Sequence, residues 1–244
     1  MTNSQSLNGH TSGGPASLAG PSSTGTGDGP FGPEAGFDGS TAVAAADLLA
    51  HWWSRPVQDE VATWSEAAGL EVGVRDRAPT SPQLAPLAVS GQELGLLDEY
   101  ERLFVGPGPV PCPPYESFWR EDVPIDIRRS LMGPCTAELR QLYRDLGIEL
   151  AADSGELPDH VAVEFEALAF ALSSDETSEV ARAIWSDHLG HWLPRLCRAV
   201  SREAEARFYK DLAQLSLDWG ASLQGLLGAP ASGGPASSAN QAPG

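Results

Sequence analysis

Apolar residues recur along the middle of the chain at the spacing of one helical face. Leu97, Tyr100 and Phe104 stand at i, i+3, i+7 behind a capping-box pattern of Ser90 and Glu93. Val161, Phe165, Leu168 and Leu172 repeat the pattern, opened by Pro158 and Asp159, with Asp159 a candidate N-cap. Trp185, Leu189, Trp192, Leu196 and Val200 form a third stripe behind a second capping-box pattern, Ser173 and Glu176. Phe208, Leu212, Leu215, Trp219, Leu223 and Leu226 form a fourth. Pro124 suits the first turn of a helix running to a glycine stop at Gly147, interrupted or kinked at Gly133-Pro134. Ala42–Trp53 and Val57–Ala68 also read as helical, and Pro79, Pro82 and Pro86 break the stretch beyond them. No segment alternates as a strand, so the expected fold is all-α.

Composition then sets the limits of that fold. Residues 1–38 and 229–244 are dominated by Gly, Ser, Thr, Pro, Ala and Asn. Such segments bury too little to offset an ordering cost of roughly 1–2 kcal/mol per residue and are expected to be disordered tails. Residues 39–228 are left as a single globular helical domain. The chain has 244 residues and a formal charge of −18, with 15 Lys and Arg against 33 Asp and Glu. That balance argues against nucleic acid, whose binding needs cations to displace phosphate counterions, and against anionic lipid. A basic peptide segment is the natural partner. Lys210 is the only lysine. No apolar run approaches a membrane span or a secretory signal, so a cytoplasmic protein without stable membrane insertion is expected. Cys112, Cys135 and Cys197 are odd in number and lack C-x-x-C spacing, which suggests neither a disulfide framework nor a zinc site; they read as buried apolar residues.

Three segments carry candidate chemistry. Tyr100–Trp119 (Y-E-R-L-F-V-G-P-G-P-V-P-C-P-P-Y-E-S-F-W) runs a helix end into a loop stiffened by Gly106, Pro107, Gly108, Pro109, Pro111, Pro113 and Pro114. The aromatic and acidic cluster Tyr115, Glu116, Ser117, Phe118 and Trp119 comes next. This is no phosphate loop, because it has no lysine and its prolines remove the amide donors. The second segment is Pro158-Asp159-His160 with Glu164 one turn on, where His160 and Glu164 can share a face away from the Phe165 stripe. The third is His188 and His191, three apart on one helix, which read as packing or boundary residues more readily than as metal ligands. A second class of function, a small helical metal-binding protein or hydrolase using His160, Glu164 and His188, stays open on the residues alone.

Taken in order, Y-x-x-L-F-x-G-P-G…P-P-Y-E-S, P-D-H-x-x-x-E-x-x-x-L and H-L-x-x-W…F-Y-x-x-L-A resemble the TorD/DmsD/NarJ-like chaperones of molybdoenzyme maturation. The resemblance spans most of residues 90–225, and Phe118-Trp119 departs from the commoner smaller residue and tyrosine. It implies an all-helical TorD-like bundle, cytoplasmic and without catalysis. It also implies binding of the apo catalytic subunit of a molybdopterin-guanine-dinucleotide oxidoreductase, often through its twin-arginine signal peptide, until the cofactor is inserted. Asp159 and His160 match the pair associated with signal-peptide recognition, and Tyr115, Glu116 and Ser117 match the other signature. The expected partner site is therefore Tyr100, Phe104, Pro114, Tyr115, Glu116, Ser117, Phe118, Trp119, Asp159, His160 and Glu164. Apolar side chains would supply most of the affinity there and the acids would orient the arginines. No cofactor is expected, although guanine nucleotide binding is implied for some relatives, and either a monomer or a homodimer is compatible.

Overall fold

Helix α1 (Gly39–Trp53) begins where Asp38 Oδ1 accepts the Thr41 amide at 2.9 Å, an N-cap that satisfies one of the unpaired donors of the first turn. The computed structural model to which it belongs describes residues 37–56, 95–121, 133–150 and 156–228. Expectations for residues 1–36 and 229–244, for Val57–Ala68 and the prolines after it, for the Ser90/Glu93 capping box and for the helix start at Pro124 lie outside those residues; Phe37, packed on the core, and Asp38, the cap of α1, belong to the domain rather than to the expected tail.

α2 (Leu96–Tyr100) continues into a π-helical turn, Glu101–Val105. The Gly106 amide closes that turn onto the Glu101 carbonyl at 2.7 Å, at a φ of 112° that only glycine adopts without strain. α3 (Glu116–Trp119) is a single turn after the proline-rich loop. α4 (Pro134–Asp145) starts with its proline at the first helical position, after Gly133. The expected interruption at Gly133-Pro134 is thus a helix start. Gly147, at φ 72°, ends α4 as expected, with the Gly147 amide on the Arg144 carbonyl and Ile148 on Tyr143.

α5 (Val161–Leu172) is followed by a 3₁₀ turn (Asp175–Thr177), α6 (Ser178–Ala183), a π-helical stretch (Ile184–Leu189), α7 (Gly190–Glu203) and α8 (Arg207–Gly228). Two caps sit one residue from their expected places. His160, rather than Asp159, caps α5, because its Nδ1 accepts the Ala162 amide at 3.2 Å. Ser174, rather than Ser173, caps the 3₁₀ turn, while the Ser173 hydroxyl donates back to the Phe170 carbonyl.

The core matches the periodic stripes. α1 turns Ala42, Ala45, Ala46 and Leu49 inward and packs along α5, which buries Ala162, Ala167, Ala169 and Ala171 on more than one of its faces. α7 and α8 pack as an antiparallel pair, and Glu99 Oε1 accepts the amides of Glu205 and Ala206 at the start of α8. Trp219 meets Phe165 at a tilt and Trp185 edge to face, at centroid spacings of 5.4 and 5.5 Å. Tyr100 and Phe104 join Trp53 and Tyr209 in a second aromatic group. The three cysteines are buried and free. Among the described residues there is no strand beyond one isolated bridge, and the fold is a single all-helical domain.

Candidate functional site

The isolated bridge joins the two signature segments. Tyr115 and His160 pair antiparallel; the Glu116 amide donates to the Asp159 carbonyl at 2.9 Å, and the Val161 amide donates to the Pro114 carbonyl at 2.9 Å. Their rings meet edge to face at 5.3 Å. A sequence separation of more than forty residues thus closes into one junction built from the proline-rich loop and the start of α5.

Behind the bridge lies a sealed polar layer. Glu116, Asp159 and Glu164 are all fully buried. Glu116 accepts Arg120 Nη1 at 2.6 Å, and its other oxygen pairs with His188 Nδ1 at 3.0 Å. Asp159 Oδ2 accepts the Ser117 amide at 3.3 Å, and Glu164 Oε2 accepts the indole of Trp192 at 3.3 Å. Asp159 Oδ1, Glu164 Oε1 and Thr136 Oγ1 have no partner among the described residues. Burial raises the Asp159 carboxyl above its ordinary range, against the Ser117 hydrogen bonds. Burial, with the Glu116 charge adding to it, raises Glu164 well above its own.

These positions correct the expectation that His160 and Glu164 share an open face away from Phe165. Nearly the whole of α5 is enclosed by α1, α6 and the π stretch, so Glu164 points inward as surely as Phe165 does. Tyr100 and Phe104 lie in the aromatic core, and Pro114 and Ser117 are buried in the junction. Phe118 is 47% exposed and packs on Trp119, whose indole donates to the Pro113 carbonyl. His188 is buried on Glu116 while His191 is exposed, so the two do not act together. No group of three or more His, Cys, Asp or Glu arranged for a metal exists among the described residues.

On the other side of the bridge is a cavity of about 670 Å³ between α1, α5 and the end of α4. α1 with its C-cap contributes Asp47, Ala50, His51 and Ser54, and α5 contributes Val163, Glu166, Ala167 and Phe170, each set at i, i+3, i+4, i+7. Ile148, Glu149, Leu150 and Glu156 complete the rim, and His160 forms part of the wall. Among the described residues no Lys or Arg lines it. Phe170 is half-exposed, and the carboxylates of Asp47, Glu149, Glu156 and Glu166 are open to solvent. Burial lowers the imidazole of His160 to about 4 and raises the Glu156 carboxyl, so His160 is neutral at physiological pH. Of the residues singled out in the sequence, only His160 lines this cavity, with Tyr115 packed against its ring. The acids and Phe170 were missed, although the polar stripe Asp47-His51-Ser54 on an otherwise Ala, Leu and Trp helix was a readable signal.

The fold and site are thus an all-helical domain with a bridged pair of signature segments beside a groove of carboxylates and apolar side chains. Residues 57–198 match the model of the nitrate reductase delta subunit family. The Tat proofreading chaperone DmsD of Salmonella typhi is 31% identical over 179 residues, covering 72% of this chain and 84% of that protein. DmsD of Salmonella typhimurium gives the same identity and coverage. Among solved structures, one described as a redox enzyme maturation protein from Archaeoglobus fulgidus superposes with a TM-score of 0.50 at 22% identity, covering 75% of this chain and 93% of that one, a likeness of fold. The chain belongs to the nitrate reductase delta subunit family, the TorD/DmsD/NarJ-like group. It is a redox-enzyme maturation chaperone and not an enzyme.

Proposed function

We propose that this chaperone binds the twin-arginine signal peptide, or the N-terminal region, of an apo molybdopterin-guanine-dinucleotide oxidoreductase catalytic subunit. It holds that subunit in the cytoplasm until the cofactor is inserted, before assembly or export. The observation that carries the reading is the α1/α5 groove, which combines four open carboxylates with an apolar floor and, among the described residues, has no Lys or Arg in its lining. A twin-arginine segment is the converse, a guanidinium pair followed by an apolar run.

The energetics assign the two halves of the groove different work. Micromolar affinity requires about 8 kcal/mol net. Exposed ion pairs supply only about 0–1 kcal/mol each, whereas a buried apolar side chain supplies roughly 1.5–3 kcal/mol. Phe170, Val163, Ile148 and Leu150 therefore hold the apolar run. Asp47, Glu149, Glu156 and Glu166 steer and orient the arginines.

Within the junction, Tyr115 backs His160, while Glu116, Ser117, Asp159 and Glu164 hold the wall in place from behind. Alanine at both Asp159 and His160 would remove two buried, bonded side chains and confound folding with binding. Surface changes in the groove are the cleaner test. Tagged protein is used to capture partners from a native extract, beside the same protein with Glu156→Gln and Glu166→Gln. One dominant molybdopterin oxidoreductase subunit, lost in the double variant, supports the reading. A broad scatter of unfolded proteins captured equally by both would replace it with a general holdase.

A further inference from the structure

His160 has a fixed hydrogen arrangement. Its Nδ1 accepts the Ala162 amide at 3.2 Å, so that nitrogen carries no proton and the ring hydrogen sits on Nε2. Nε2 lies 3.7 Å from Glu156 Oε2, beyond hydrogen-bond length. Two other hydroxyl hydrogens in the cavity lining are already used. The Tyr143 hydroxyl donates to the Pro158 carbonyl at 2.7 Å, and the Ser54 hydroxyl donates to the Ala50 carbonyl at 2.9 Å. Asp47, Glu149, Glu156 and Glu166 offer acceptors, and His51 stands at the exposed rim. Among the described residues the inner wall thus presents the Nε2–H of His160 as its donor, in a groove otherwise rich in acceptors. A peptide entering the groove brings main-chain carbonyls that lose water and need a donor.

Asp159 has no part in that wall. Its side chain turns away to the Ser117 amide, and it does not line the cavity. Resting on the reading above that the groove takes a peptide, we infer that the Asp159-His160 pair divides its work. His160 is a peptide-binding residue that donates its Nε2–H, as a neutral imidazole, to a main-chain carbonyl of the bound peptide. Asp159 is a positioning residue that fixes the 114–119 loop and does not meet the peptide.

The test uses the full chain with ¹⁵N-labelled histidine and a synthetic peptide carrying two adjacent arginines followed by a leucine- and alanine-rich run. Over roughly pH 5.5–8 the nitrogen resonances of His160 should keep the neutral Nε2–H pattern, and peptide addition should move the Nε2–H resonance downfield. His160→Asn keeps a good N-cap on α5 but withdraws the ring donor. It should weaken the peptide about tenfold, the size of one net hydrogen bond, while Asp159→Asn, which keeps an oxygen to accept the Ser117 amide, should weaken it less. A charged or Nδ1–H form of His160, an Nε2–H resonance unmoved by bound peptide, or equal affinity in His160→Asn overturns the division while leaving peptide binding standing. Failure of the unaltered protein to bind the peptide overturns both.

Discussion

Tyr115 and His160 face each other across a single antiparallel bridge, rings 5.3 Å apart, and through it the proline-rich loop and the start of α5 are joined into one body. The loop's φ-restricted residues make that body stiff, and the groove wall inherits its stiffness. Sealed carboxylates on one side and open ones on the other give the same residue type two functions. Those behind the bridge hold shape, and those in front of it present charge.

The sealed layer should be visible in the pH dependence of stability. Glu164 has its carboxyl raised by burial, so the folded chain retains a proton there that the unfolded chain loses. Its contribution to stability is full below the unfolded value and is lost as pH climbs through the higher folded value. Glu164→Gln, which keeps an acceptor for Trp192, should therefore raise the melting temperature at neutral pH, at about 2–4 °C per kcal/mol for a chain of this size. The gain should disappear near the ordinary glutamate range. Calorimetric melts of both proteins across pH check this.

Trp185 is clasped between two glycines. A Cβ at Gly190 would lie 2.6 Å from the Trp185 carbonyl oxygen, and one at Gly220 would lie 2.7 Å from the indole edge. Gly190→Ala meets a backbone oxygen, which cannot turn aside, and should be the more damaging; Gly220→Ala meets only the edge of the indole ring. Costs of about 1–3 kcal/mol are expected from overpacking, read as shifts in the denaturant midpoint with unchanged slope.

Phe170 and Phe118 are both about half exposed, 51% and 47%, but only Phe170 lines the groove. Phe170→Ser should cost little stability and weaken the twin-arginine peptide at least tenfold, as a central apolar anchor does. Phe118→Ser should leave affinity unchanged. Titration of both variants with the peptide separates the two aromatics.

The cysteines should be silent in the folded protein. Burial pushes the thiols of Cys112 and Cys135 up to about 12, and raises Cys197 further in the same direction. With so little thiolate, a maleimide or disulfide reagent at neutral pH should modify none of them until denaturant is added. Mass spectrometry before and after unfolding reads the count.

Much of the fold was legible because its stripes are unambiguous. Val161, Phe165 and Leu168 on α5, Trp192, Leu196 and Val200 on α7, and Leu212, Leu215 and Trp219 on α8 are all buried as their spacing required. The π-helical stretches at Glu101–Val105 and Ile184–Leu189 were not legible, because a one-residue widening of the turn leaves the apolar spacing nearly intact. The site was half legible. The order of the motifs gave the family and His160, but Glu164 and Glu166 look alike in V-A-V-E-F-E, and only Glu166 is exposed. Glu164 stands beside Phe165 and one turn from Val161 and Leu168, on the face that α7 covers through Trp192. The groove itself was invisible, because it is made by apposing α1 to α5, a tertiary fact that neither helix states alone.

Calorimetric titration of the full chain with the twin-arginine peptide, beside the Glu156→Gln, Glu166→Gln double variant, tests the groove most directly. Micromolar binding by the unaltered chain, weakened about tenfold in a double variant that melts at the same temperature, is the expected result. Equal affinity in the two proteins would place the peptide elsewhere and contradict the assignment of the α1/α5 groove.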